Sequence, residues 1–161
     1  SLILNAGSEA GVKKSQAAIT GEGLIGRVAG VGARSASILL ITDLNSRIPV
    51  FVGASRTRAI LAGNNTNQPS LIHLPSGETV SPGDRIVTSG HGGAFPYDIP
   101  VGVVVSVNEG GIKVQPFVKR TRLEYIRIFD YGLKGGFAGP PDQERSGRYK
   151  ERRPSQGGPD P

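Results

Sequence analysis

Few side chains in this sequence could form a catalytic site. A serine-hydrolase site would combine Ser89 with an aspartate and with one of the two histidines, His73 and His91. The candidate aspartates are Asp43, Asp84 and Asp98. Triads are recognised by geometry and not by chain order, but no GxSxG elbow is present. A trypsin-like serine hydrolase on a double β-barrel therefore remains an alternative, and the preferred prediction is a protein with no catalytic residues.

Signals for a cofactor or a metal ion are weak. Residues 21–26, Gly-Glu-Gly-Leu-Ile-Gly, match the GxGxxG pattern of dinucleotide-binding loops. Such a loop needs a following helix whose N-terminus holds the pyrophosphate, whereas residues 27–31 have the β-branched character of a strand. Cysteine is absent and the two histidines are far apart, so no set of metal ligands is evident. We expect neither a cofactor nor a metal site.

A binding surface is the remaining candidate, and it lies in residues 88–107. Four side chains of a loop framed by glycine and proline are predicted to contact a partner: Phe95, Pro96, Tyr97 and Ile99. Aromatic residues on a rigid loop often anchor protein interfaces. The alternative is that Phe95 fills the end of its own barrel. The residues expected to shape the loop are Gly90, Gly92, Gly93, Pro100 and Gly102, since glycine permits positive φ and proline stiffens the backbone.

Short β-branched runs separated by turn residues make up most of the chain around this loop. The sequence contains 24 glycines and 12 prolines among its 161 residues, and no window shows a sustained helical period. About eleven short strands are expected, which is typical of small sandwiches or closed barrels. A frame also repeats, because residues 12–20 align with 80–88, and 26–31 align with 102–107. The repeat predicts two related β units in tandem, the second with the longer loop.

Composition predicts how the chain is divided. Residues 63–69 are polar or glycine up to Pro69, so we expect a first β-barrel unit in residues 1–66 and a second in residues 67–133. Residues 47–52 read as a strand that Pro49 places at a sheet edge or a bulge. Residues 134–161 carry few apolar groups and are predicted to form a disordered tail, because burial there cannot offset chain entropy. The sequence thus predicts an all-β protein of two small antiparallel barrels.

Charge and hydropathy limit the possible partners. The net charge of +6 permits a polyanionic partner, but the basic residues are spread out except at residues 119–122 and in the tail. A generically basic surface is preferred and no nucleic-acid partner is expected, with a polyanion-binding module kept as an alternative. No apolar run approaches the ~20 residues of a membrane span. The chain starts at Ser1 without Met and reads as a fragment or a processed product, so a membrane anchor is expected only upstream of residue 1.

Four segments form a recognisable pattern through their order and spacing. They are residues 4–12 (Leu-Asn-Ala-Gly-Ser-Glu-Ala-Gly-Val), 23–28 (Gly-Leu-Ile-Gly-Arg-Val), 39–50 (Leu-Leu-Ile-Thr-Asp-Leu-Asn-Ser-Arg-Ile-Pro-Val) and 88–102 (Thr-Ser-Gly-His-Gly-Gly-Ala-Phe-Pro-Tyr-Asp-Ile-Pro-Val-Gly). Together they resemble the MreC family of bacterial rod shape-determining proteins, and the resemblance extends from residue 2 to about residue 130. Ser15 stands where that family usually has glycine, and the segment resembles a first barrel without its first strand.

The resemblance implies a non-enzymatic scaffold of the cell-wall elongation machinery. Members of the family span the bacterial inner membrane once, and a coiled coil and two small barrels lie on the periplasmic side. The implied partners are the elongation-specific penicillin-binding transpeptidase, MreD and RodA, and also MreB through an N-terminal region that is absent from this sequence. Self-association into a homo-oligomer is implied as well. All of these properties are expectations for the present chain.

Overall fold

The structure, a computed structural model, describes residues 1–93, 95–119 and 127–129. Its regular structure consists of eleven strands and two short 3-10 turns, at Ser8–Ala10 and His91–Gly93. The chain is therefore all-β, as the spacing of glycine and β-branched residues predicted. The predicted disordered tail, residues 134–161, lies outside the described residues. No helix in the described part of the chain has the length and hydropathy needed to cross a membrane.

The strands form one open sheet and one closed barrel. The open sheet contains β1 (Leu2–Leu4), β2 (Ala17–Thr20), β3 (Gly23–Val31), β4 (Ala36–Leu40) and β11 (Arg127–Phe129), in the order β1-β4-β3-β2-β11. The barrel contains β5 (Arg47–Val52), β6 (Thr57–Ala62), β7 (Ser70–Ile72), β8 (Arg85–Thr88), β9 (Pro100–Asn108) and β10 (Gly111–Pro116). Its order is β10-β7-β6-β5-β8-β9, and all of these pairs are antiparallel.

Strand pairing confirms the repeat that the sequence predicted. Ala18 of β2 pairs with Gly26 of β3, and Ile86 of β8 pairs with Gly102 of β9. Immediately after each of these pairs the register shifts by a β-bulge, at equivalent places in the two hairpins. The following hairpins agree too, because both β3–β4 and β9–β10 carry a bulge. A bulge is a specific structural feature of a strand pair, so its recurrence identifies β2–β3–β4 and β8–β9–β10 as copies of one unit.

The turn that precedes each copy is also repeated. The amide of Ser15 donates to the carbonyl of Val28 at 2.8 Å, and the amide of Gly83 donates to the carbonyl of Val104 at 2.8 Å. Both turn residues have positive φ, 77° at Ser15 and 96° at Gly83. The serine therefore forms the turn that a glycine forms in the second copy, at a steric cost on the order of 1 kcal/mol.

The division of the chain differs from the prediction. Strands β5 and β6, within residues 1–66, pair with β8 and β7 in the barrel, whereas β11, within residues 67–133, pairs with β2 in the open sheet. Residues 63–69 form the connection between β6 and β7 and not a linker between units. Most of this loop is exposed, and its polar side chains form hydrogen bonds within the loop. The side-chain amide of Asn64, for example, donates to the carbonyl of Gln68. Residues 41–46 connect the open sheet to the barrel. Ile41 and Ser46 are buried there, so this segment does not have the wholly polar, exposed character expected of a domain boundary.

The described strands of the open sheet and the barrel follow matching orders. The series β1-β4-β3-β2-β11 corresponds to β7-β10-β9-β8-β5 in the barrel. Strand β6 closes the barrel between β5 and β7, and it has no counterpart among the described strands of the open sheet.

Two hydrophobic cores hold the sheet and the barrel together. The larger core fills the barrel and includes Ile19 and Leu24 from the open sheet and Ile41 from the connection between sheet and barrel. The smaller core lies on the other face of the open sheet, around Val28 and Ile38. The open sheet therefore buries both faces, and burial of each large aliphatic side chain contributes about 1.5–3 kcal/mol.

Pro49 lies at neither of the two expected positions, a sheet edge or a bulge. Strand β5 lies between β6 and β8 in the closed barrel. Pairing with β8 begins one residue further on, at Val50 opposite Thr88, so Pro49 lies beyond the end of that ladder. A proline can occupy a central strand at such a point because no ladder hydrogen bond to β8 is required of its nitrogen.

Candidate partner-binding surface

The connection between β8 and β9 is the principal difference between the two copies of the repeated unit. In the first copy, Gly21 and Glu22 alone separate β2 from β3, whereas residues 89–99 separate β8 from β9. Insertions in repeated units commonly form the binding face, and rigidly supported loops commonly carry function. We call residues 89–99 the insertion loop.

Thr88 anchors the insertion loop from inside the barrel. Its side chain is fully buried, and its hydroxyl donates to the carbonyl of Pro96 at 2.5 Å. The same oxygen accepts a hydrogen bond from the amide of Ile99 at 2.9 Å. Backbone bonds complete the closure, because the amide of Thr88 donates to the Ile99 carbonyl and the amide of Asp98 donates to the Thr88 carbonyl. These four bonds hold residues 96–99 against the end of β8.

Three of the four predicted contact residues face the interior. Phe95 is 5% exposed and Ile99 is 0% exposed, and both belong to the barrel core. Pro96 is buried as well. In the conformation described these three side chains are buried and not available to a partner, and Phe95 and Ile99 pack inside the barrel. Only Tyr97, which is 47% exposed, is available to a partner.

The predicted loop-shaping residues have conformations that explain their type. Gly90 has a φ of 72°, and a Cβ there would lie 2.8 Å from the Cβ of Tyr97, so glycine is required for both backbone and space. Gly92 and Gly93 also have positive φ, in an exposed 3-10 turn. Gly102 permits β10 to approach, because its Cβ would lie 2.5 Å from the carbonyl oxygen of Gln115. Pro100 begins β9 opposite Val87.

An ion pair joins the insertion loop to the β5–β6 turn. The guanidinium of Arg56 lies 3.0 Å from Oδ1 of Asp98, with both side chains about half exposed. Arg56 and Asp98 both have positive φ, 55° and 65°. Arg56 also lies over the ring of Phe51, 4.3 Å from its centroid, which is the geometry of a cation–π contact. Non-glycine residues with positive φ are uncommon and concentrate at functional sites.

The outer face of the barrel continues this cluster across three strands. Register places Arg58 of β6 directly opposite Phe51 of β5, and Phe51 directly opposite Val87 of β8. Directly opposed residues in a ladder present their side chains on the same face. Arg85 lies on the same face of β8, and its guanidinium is 4.6 Å from the ring centroid of Phe117. The outer face thus combines half-buried apolar residues with exposed arginines.

The sequence did not identify these barrel residues as part of the site. Phe51 and Arg58 lie on strands that the sequence predicted correctly, so strand alternation could have placed them on the outer face. The pairing of Arg56 with Asp98 joins positions far apart in the chain and has no local signal. Tyr97 was recognised from its type and its loop, and it alone of the predicted contact residues is on the surface.

Groups that could catalyse a reaction are not brought together in the described residues. Among them no hydrogen bond joins a serine hydroxyl to a histidine ring, and no three histidine or acidic side chains could hold a metal ion. Asp98 is paired with Arg56. A cavity of about 350 Å³ lies between the open sheet and the end of β10, and its described lining, which includes Leu24, Ile41 and Pro116, contains no acid or histidine. The GxGxxG segment opens a strand, β3.

Comparison with known proteins gives a consistent result. The profile of the family described as rod shape-determining protein MreC, barrel core, matches residues 1–130. The cell shape-determining protein MreC of Cereibacter sphaeroides is 42% identical over 128 residues, which are 80% of this chain and 43% of that protein. This chain thus spans less than half the length of that relative.

Solved structures show the same architecture. The major periplasmic domain from the cell shape-determining filament MreC (monoclinic form) has 29% identity and a TM-score of 0.64, with 75% of this chain and 81% of that chain covered. A chain of the complex between penicillin-binding protein PBP2 and MreC from Helicobacter pylori has 18% identity and a TM-score of 0.59, with coverage of 71% and 76%. At that identity the second likeness concerns the fold alone.

Proposed function

This chain belongs to the MreC family of rod shape-determining proteins, and we propose that it acts as a non-catalytic scaffold of cell-wall elongation on the periplasmic side of the bacterial inner membrane. A periplasmic role is supported by the solved MreC domain that is described as periplasmic. A non-catalytic role is supported by the scattered positions of the described histidines, serines and acids. The scaffold would maintain rod shape by holding other morphogenetic proteins in place.

The proposed partner is the elongation-specific penicillin-binding transpeptidase. Support comes from the MreC of Helicobacter pylori, which forms a complex with a penicillin-binding protein. The observation that carries the proposal is the insertion loop, which the first repeat copy lacks and which presents Tyr97 on a closed barrel. A preorganised loop binds with a smaller entropic cost than a mobile one.

Further partners are proposed from family membership. These are MreD and RodA, and MreB through a cytoplasmic region outside this sequence. Self-association into a homo-oligomer is also proposed, with support from the relative described as a filament.

Titration calorimetry tests the transpeptidase interaction. The full chain is titrated with the periplasmic ectodomain of the elongation transpeptidase from the same organism at two salt concentrations. We expect saturable binding that persists at the higher salt, and a loss of about tenfold in affinity for Tyr97→Ala, because exposed aromatic anchors contribute strongly to interfaces. Leu44→Ala is the matched control, since Leu44 is an equally exposed apolar residue in the turn after β4. Absence of binding by the folded wild-type chain would contradict the proposal.

A further inference from the structure

We propose that the outer face of strands β5, β6 and β8 binds a carboxylate-bearing segment of the partner protein. We call this surface the arginine face and define it by Phe51, Arg56, Arg58, Arg85 and Val87. The inference rests on the proposed scaffold function and adds to it the chemistry that the partner must supply. It also extends the contact from the insertion loop onto the rigid wall of the barrel.

Two of the three arginines on the arginine face have no ion-pair partner among the described residues. Arg56 has a carboxylate partner, Asp98. Arg58 and Arg85 are exposed, and neither forms an ion pair with any residue that the structure describes. An exposed guanidinium with free donors is suited to a carboxylate, which it can bind through two parallel hydrogen bonds. Two arginines of the surface can therefore accept acidic groups from outside the chain.

Other acids close to these strands have partners of their own. Asp84, directly before β8, accepts a hydrogen bond from the amide of Ser81 at 2.9 Å. Glu78 accepts a hydrogen bond from the hydroxyl of Thr57 at 3.1 Å. The first bond lies within the turn before β8, and the second joins β6 to the connection between β7 and β8. Neither carboxylate forms an ion pair with Arg58 or Arg85, so both guanidiniums keep donors for a carboxylate from outside the chain.

The apolar part of the surface favours a protein partner over a polyanion. Phe51 and Val87 are half-buried and lie side by side on adjacent strands, with Tyr97 exposed on the adjoining loop. Aromatic residues and arginine are enriched at protein interfaces, whereas lysine is depleted. Sequence-independent binding of a polyanion depends instead on many dispersed cations. The combination of arginine, phenylalanine and tyrosine thus fits a protein segment with carboxylates beside apolar side chains.

Charge reversal tests the proposal. Arg58→Glu is compared with Lys14→Glu, which makes the same change in net charge at an exposed turn of the open sheet. Both variants are titrated with the transpeptidase ectodomain, and thermal unfolding confirms that they fold. We expect Arg58→Glu to weaken binding about tenfold or more, because like charges across an interface are strongly unfavourable. Lys14→Glu should change affinity less than about twofold, since a distant exposed charge is screened.

A partner-side rescue identifies the carboxylate. Exposed acids of the ectodomain are replaced singly by lysine, and at least one replacement should restore most of the affinity lost in Arg58→Glu. If the wild type binds and Arg58→Glu behaves like Lys14→Glu, the arginine face is not the contact, although the scaffold function stands. If the wild type does not bind at all, both proposals fail. Sedimentation with anionic phospholipid vesicles adds a third outcome: loss of vesicle binding by Arg58→Glu with unchanged ectodomain affinity overturns the proposal in favour of a membrane contact.

Discussion

Replacement of Thr88 by valine tests the anchoring of the insertion loop most directly. Valine has nearly the shape of threonine, so the change removes the hydroxyl and little else. Two buried groups then lose their partner, the carbonyl of Pro96 and the amide of Ile99. A buried polar group left without a hydrogen bond costs about 1–3 kcal/mol. The two groups together would cost about 2–6 kcal/mol and the added methyl group returns about 0.8 kcal/mol, so we expect Thr88→Val to lower the free energy of unfolding by about 1–5 kcal/mol.

The internal repeat supplies a matched control. Thr20 occupies in β2 the position that Thr88 occupies in β8. Its hydroxyl accepts a hydrogen bond from the amide of Glu22 at 3.1 Å, but that bond is exposed. Water can satisfy the amide after the change, so Thr20→Val should cost less than about 1 kcal/mol. The two substitutions thus remove the same hydroxyl group at equivalent positions of the repeat, and they differ in whether its hydrogen bonds are buried.

Urea unfolding followed by circular dichroism measures both variants in the full chain. Thr88→Val should lower the midpoint without altering the slope, because stability changes and the surface exposed on unfolding does not. A loss of about 1–5 kcal/mol is a substantial part of the ~5–15 kcal/mol stability of a typical domain. If Thr88→Val unfolds within about 0.5 kcal/mol of the wild type, or if Thr20→Val is equally destabilising, the buried hydroxyl does not hold the loop.

Two further predictions follow from the burial and backbone conformation of single residues. Phe95→Ala should lower the free energy of unfolding by about 3–5 kcal/mol, because it opens a cavity in the barrel core, whereas Tyr97→Ala should change it by less than about 1 kcal/mol. Equal losses in thermal or urea unfolding would show that the two rings are not separated by the barrel wall. Ser15→Gly should stabilise the protein by about 0.5–1 kcal/mol by relieving a positive φ, and Gly83→Ala should destabilise it by about 1 kcal/mol. The two substitutions should change the free energy of unfolding in opposite directions in the same assay. A Cβ at residue 83 would meet no atom within 4 Å, so the cost of Gly83→Ala would come from the positive φ alone.

Local patterns in the sequence were sufficient for the fold class and for the repeated unit. Strands have a two-residue period and turns demand glycine, proline or asparagine, so both leave a signal in neighbouring residues. The alignment of residues 12–20 with 80–88 was equally readable, because two copies of one hairpin keep the same buried positions and the same turn. Even the substitution at Ser15 was visible as a departure from a glycine position.

Strand partners and side-chain directions depended on the tertiary structure. The polar composition of residues 63–69 is typical both of a linker between domains and of an exposed hairpin loop. The sequence therefore could not show that β5 and β6 complete the second barrel. Phe95 and Tyr97 are two residues apart in one loop, and their types alone do not tell which ring faces the core. Closure of the barrel buries Phe95 and leaves Tyr97 outside, because the Thr88 hydroxyl and the Arg56–Asp98 ion pair hold the loop in one position. Contacts between residues far apart in the chain leave no local signal, and such contacts form the proposed binding surface.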